Sequence, residues 1–109
     1  MASYLVQASY TIEALQALIK KPQDRTAVIS KAVENLGGTL TGLWLSFGDQ
    51  DLVVLVELPN NVNAAALAIA VAAGGAVKSI KTTPLLTVAQ GISALKKATT
   101  SGYTPVTTK

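Results

Sequence analysis

Apolar and polar positions alternate most clearly from Gly38 to Leu58, GTLTGLWLSFGDQDLVVLVEL. Two apolar stretches flank the polar break Gly48-Asp49-Gln50-Asp51, and a period of two on either side of such a break predicts a β-hairpin. On its first strand Leu43, Leu45 and Phe47 alternate with Gly42, Trp44 and Ser46; on the second, Leu52, Val54, Val56 and Leu58 alternate with Val53, Leu55 and Glu57, and Pro59 ends the strand. Both faces of this hairpin are apolar. Such a sheet needs a cover on each side, and a chain this short supplies one, so the other cover is expected to be a second copy of the protein.

The period changes elsewhere. Residues 3–9, SYLVQAS, read as a strand with Tyr4, Val6 and Ala8 on one face and Leu5 and Gln7 on the other. Thr11 is placed to cap a short helix with the stripe Ile12, Leu15, Leu18 and Ile19, which Pro22 ends. Asp24 is expected to cap a longer helix through Leu36, with Ile29, Ala32, Val33 and Leu36 at helical spacing and Gly37-Gly38 as its stop. Asn61 is expected to cap an alanine-rich helix over about 62–73, closed by Gly74-Gly75. Residues 76–83, AVKSIKTT, read as a last strand ended by Pro84. Thr87 and Gln90 form a capping-box pattern for a helix over about 88–98, with Val88, Ile92 and Leu95 as its stripe and Lys96 and Lys97 in its last turn.

Strand, helix, strand, strand, helix, strand is the split βαβ order of α+β, ferredoxin-like folds: βαββαβ with a four-stranded antiparallel sheet, here with an extra C-terminal helix. The expected spatial order is 4-1-3-2, with the helices of about 24–36 and 62–73 on one face. Residues 1–98 are read as a single domain and 99–109, polar and turn-rich, as a C-terminal tail.

Composition sharpens the picture of assembly and narrows the chemistry. Half of the residues are hydrophobic and only 14% charged; the mean hydropathy is +0.41. A small monomer must display a polar exterior, so this excess points to an oligomer interface. There is no cysteine and no histidine, which removes thiol chemistry, the commonest general base and the commonest transition-metal ligand. No metal and no cofactor are expected. The net charge of +3 comes from scattered lysines rather than a basic stripe, so no nucleic-acid partner is expected. No run approaches the roughly 20 apolar residues of a membrane span, and MASYLVQASY lacks the basic start of a signal peptide; the expectation is a cytoplasmic protein without a membrane partner.

From Tyr4 to Leu86, about three-quarters of the chain, the sequence resembles the GYD-domain family of dimeric α+β barrel proteins. The matching segments are YLVQASYT, DRTAVISKAVENLGG, FGDQDLVVLVELP, AAALAIAVAAGGAV and KTTPLLT. The resemblance implies the ferredoxin-like fold and self-association; it implies no particular reaction. The family signature is Gly, Tyr, Asp at the hairpin turn. Here Gly48 and Asp51 stand at the outer positions and Gln50 where the tyrosine belongs.

Four residues are candidates for ligand binding, each beside a plainer role. Arg25, the single arginine, stands at the start of a helix, where it can bind an anion or form a surface ion pair. Glu57 interrupts an apolar strand, where a charge needs a partner such as Lys78, Lys81 or Gln7, or else faces solvent at the strand end. Tyr4 and Trp44 can line a pocket, or pack in the core or an interface. Asp49 and Asp51 read as turn formers before acid–base carboxylates. Three functions follow. The first is an oligomeric domain that binds a small ligand or a protein partner. The alternative is a cofactor-free enzyme of the dimeric α+β barrel type, an oxygenase, isomerase or cyclase, which requires a pocket with convergent polar groups. The third, RNA binding, lacks the basic and aromatic motif that sheet-based RNA recognition uses.

Overall fold

The computed structural model describes residues 1–107. The elements run β1 (Ala2–Tyr10), α1 (Ile12–Lys20), α2 (Thr26–Asn35), β2 (Thr39–Leu45), β3 (Leu52–Leu58), α3 (Asn61–Ala73), β4 (Val77–Leu85) and α4 (Val88–Ala98). The sheet order is β2-β3-β1-β4, with every neighbouring pair antiparallel. This is the expected ferredoxin-like α+β fold with β1 central.

Register assigns the two faces. Tyr4, Val6 and Ala8 stand opposite Val56, Val54 and Leu52, and these residues form the buried core together with Leu58, Val33 of α2, and Ala64 and Leu67 of α3. α2 packs over β2 and α3 over β4, so both lie on this one face. The other face carries Leu5 and Gln7, Val53, Leu55 and Glu57, Trp44, and Lys81, Thr83 and Leu85. No helix covers it.

Local chemistry moves several boundaries. α3 is capped by Asn60, not Asn61: Asn60 is the extended residue, and its side chain accepts from the Asn63 amide at 2.9 Å. Asn61 is thereby free to accept the Tyr4 hydroxyl at 2.7 Å. α2 begins at Thr26, and Asp24 accepts from the Thr26 amide at 2.9 Å one residue before the helix cap. These bonds hold the Asp24 carboxyl below its ordinary 3.8, the Thr26 hydroxyl more strongly than the amide. Pro84 does not end β4 but lies within it; β4 is an edge strand bonded only to β1, where a missing N–H is tolerated.

At the end of α2 the Gly38 amide donates to Val33 O (3.0 Å) and the Gly37 amide to Glu34 O (2.9 Å), a Schellman closure that needs the left-handed Gly37, φ 82°. The α4 capping box forms with both expected bonds. The tail carries neither helix nor strand through Thr107, and its last two residues lie outside the described residues. Among the described residues no helix is long and apolar enough to cross a membrane.

Candidate functional site

The side chains that would fill the space between α2, α3 and the sheet are small. α2 presents Ala32 there, α3 presents Ala70, β1 presents Ala8, and Ala76 precedes β4. Leucine at these positions would complete a core. Alanine instead leaves a cleft of about 350 Å³, floored by Val6, Val54 and Ile80 and walled by Ile29 and Val71. That volume falls at the small end of the range for small-molecule sites. A second, outer hollow of about 560 Å³ adjoins it, lined by Leu18, Pro22, Leu43 and Leu45. Tyr10, Arg25 and Leu52 line both, so they mark the junction.

Among the described residues, Tyr10 and Arg25 are the only polar side chains lining the inner cleft. β1 ends in Tyr10, and the turn after β2 locks that end in place. The Tyr10 amide donates to Asp51 Oδ2 at 2.9 Å, the Asp51 amide donates to Ala8 O at 2.9 Å, and the Ser9 hydroxyl donates to Gln50 Oε1 at 3.2 Å. Burial pushes the Tyr10 phenol above its ordinary 10.0; the Arg25 guanidinium offsets part of that rise and the Asp51 carboxylate adds to it. At neutral pH the phenol is therefore an uncharged donor and acceptor. Arg25 donates to Gln23 Oε1 at 3.3 Å, a neutral partner, and Asp24 lines the outer hollow beside it.

The structure separates the four candidates read from the sequence. Arg25 stands at the cleft junction. Tyr4 is 2% exposed in the core, its hydroxyl satisfied by Asn61. Trp44 lies on the uncovered sheet face and is 55% exposed; a Cβ at Gly42 would meet its indole ring. Glu57 shares that face and stands opposite Ser3 and Thr39, not the last-strand lysines, because β1 intervenes between β3 and β4. Asp51 accepts a backbone amide in the turn, and Asp49 offers its carbonyl to the Ser9 hydroxyl. Among the described residues no group of three carboxylates could hold a metal. Sequence reasoning missed Tyr10. The signal was the alternation Tyr4, Val6, Ala8, which continues to residue 10.

A sequence model of the GYD domain matches residues 4–95. No curated protein sequence matches the chain significantly. Among solved structures, FFRP-DM1 is 12% identical over 79% of this chain and 100% of its own, with a TM-score of 0.50. TTHA0845 from Thermus thermophilus is 17% identical over 81% of this chain and 96% of its own, TM-score 0.47. A mutant of MhuD with two manganese protoporphyrin IX molecules bound per active site is 20% identical over 81% of this chain and 95% of its own, TM-score 0.45. Likeness at such identities is one of fold.

Proposed function

The chain belongs to the GYD-domain family, and from that premise we propose that it is a self-associating binding module for a small apolar anion, such as a hydrophobic carboxylate. The apolar body of the ligand occupies the cleft between α2 and α3, and its charged head meets Arg25 and the Tyr10 hydroxyl at the junction. The observation that carries this reading is the apolar lining of the inner cleft, in which Arg25 is the one charged residue among the described residues and is hydrogen-bonded only to a neutral glutamine. An Arg guanidinium suits a carboxylate because its fork of donors matches both oxygens.

The same lining favours binding over the cofactor-free enzyme. General acid–base chemistry works best with a group that titrates near neutral pH. The inner cleft offers a guanidinium and a phenol pushed further from that range.

Calorimetric titration with naphthalene-2-carboxylate tests the reading against naphthalene-2-carboxamide, its neutral isostere. The carboxylate should bind at one site per chain, more tightly than the amide. Arg25→Gln should erase that difference and flatten the salt dependence. Ala70→Phe, which fills the cleft from α3, should abolish binding of both. Unchanged carboxylate affinity in Ala70→Phe would place the ligand elsewhere and refute the proposal.

A further inference from the structure

Among the described residues, the C-terminal helix buries none of its own side chains. Val88, Ile92 and Leu95 repeat at i, i+4 and i+7 and form one apolar stripe, yet they are 82%, 48% and 70% exposed, and no residue of α4 is buried. An eleven-residue helix is marginal in water by itself even when well capped. The helix and the exposed tail that follows it together extend the chain. Its radius of gyration is 17.6 Å, against about 13 Å for a compact domain of this length. Its accessible surface is 7839 Å², about 2,100 Å² more than a compact monomer of 11.2 kDa displays. That excess, which the exposed tail shares with α4 and the open face, is larger than the roughly 800 Å² each partner contributes to a standard interface.

The uncovered sheet face matches the arm in extent, chemistry and charge. Leu85, the last residue of β4, lies on that face, and the chain runs from it through Leu86 and Thr87 into α4. α4 is about 16 Å long, close to the width of a four-stranded sheet, about 14 Å. Across the face, the row that ends at Leu85 runs through Ser3 and Glu57 to Thr39. Glu57 therefore brings a carboxylate to a row that holds no cation, while the basic residues of α4, Lys96 and Lys97, lie in its last turn with no acidic residue in its first.

We propose that α4 is an exchanged arm: the helix of one copy lies across the open sheet face of another, with Val88, Ile92 and Leu95 against Trp44, Val53 and Leu55, and Lys96 and Lys97 beside Glu57. The exchange is reciprocal, which gives a two-fold dimer with an isologous interface. The inference rests on the reading that the chain self-associates and adds the element that does the joining.

Sedimentation of the full chain over a range of concentrations tests it, with circular dichroism as a check on folding. Ile92→Glu/Leu95→Glu should leave the fold intact, because α4 buries nothing in its own chain, and should raise the dissociation constant at least about tenfold. Glu57→Lys alone, and Lys96→Glu/Lys97→Glu alone, should each weaken self-association about tenfold. An equimolar mixture of these two variants should recover dimers of near wild-type affinity, because each arm then meets a face of opposite charge. An arm folded onto its own face gives no such recovery, so a mixture no better than its components overturns the exchange. A wild-type dimer that Ile92→Glu/Leu95→Glu leaves unchanged also overturns it, while self-association stands. A wild-type chain that remains monomeric throughout removes both.

Discussion

Trp44→Ala separates the stability of the single chain from the stability of its assembly. A tryptophan side chain offers about 250 Å², and at 55% exposure about 110 Å² of it is covered within the chain, chiefly by Gly42 and the neighbouring strand. At ~25 cal/mol per Å² that covered part is worth at most about 2 to 3 kcal/mol. The remaining 140 Å² or so can be covered only by another molecule, and is worth about 3 to 4 kcal/mol per copy when it is. Trp44→Ala should therefore lower the unfolding free energy of the dilute chain modestly and should weaken assembly by a larger factor. Trp44 is the single tryptophan, so its fluorescence reports the event directly. The wild-type emission should shift to shorter wavelength as concentration rises through the association range, in step with the sedimenting mass. Emission that stays at the solvent-exposed position while the protein associates would refute the assignment of this face as the interface.

Three further outcomes follow from the local geometry. Gly38→Ala places a Cβ against the Glu57 carbonyl and 2.6 Å from Leu58 Cδ2, and should destabilise the fold by about 2 kcal/mol in urea unfolding. The Tyr10 phenol is raised above 10.0 in the folded chain, so it keeps its proton where the unfolded chain has lost it; stability should be intact below pH 10, fall as the pH climbs from there, and fall less steeply in Tyr10→Phe. Removal of the tail from Thr99 onward, whose described residues are exposed, should change the unfolding free energy by less than about 0.5 kcal/mol.

The elements were legible because each carries its own period and punctuation. The hairpin, the alanine-rich helix and the Thr87–Gln90 capping box depend on residues within a few positions of one another. What was not legible depends on choices between near-equivalent neighbours or on distant pairing. Asn60 and Asn61 are equal in type; Asn60 caps α3, while Asn61 accepts the Tyr4 hydroxyl from 57 positions away. Pro84 reads as a strand end until β4 proves to be an edge. Glu57 has no lysine opposite it because β1 separates β3 from β4. The cleft is the least legible feature. Alanine at positions 8, 32, 70 and 76 signifies close approach of helix and sheet as readily as a void, and the distinction arises only when α2 and α3 settle over different strands.

The two unfilled surfaces sit on opposite sides of the same strands. β1 sends Val6 and Ala8 into the cleft and Leu5 and Gln7 to the open face, and β3 likewise divides Leu52 and Val54 from Val53 and Leu55. An apolar face left open to water forgoes stabilisation in proportion to its area, and here both sides of the sheet forgo some. A sequence selected only for monomer stability would place leucine in the cleft and polar residues on the open face; either change is a single substitution at several positions. Both surfaces remain largely apolar together, with Arg25 the one charged residue that lines the inner cleft and Glu57 in a row of the open face that holds no cation. The two proposed occupants, an anion beside Arg25 and the basic end of a helix beside Glu57, would therefore share the sheet as a common wall.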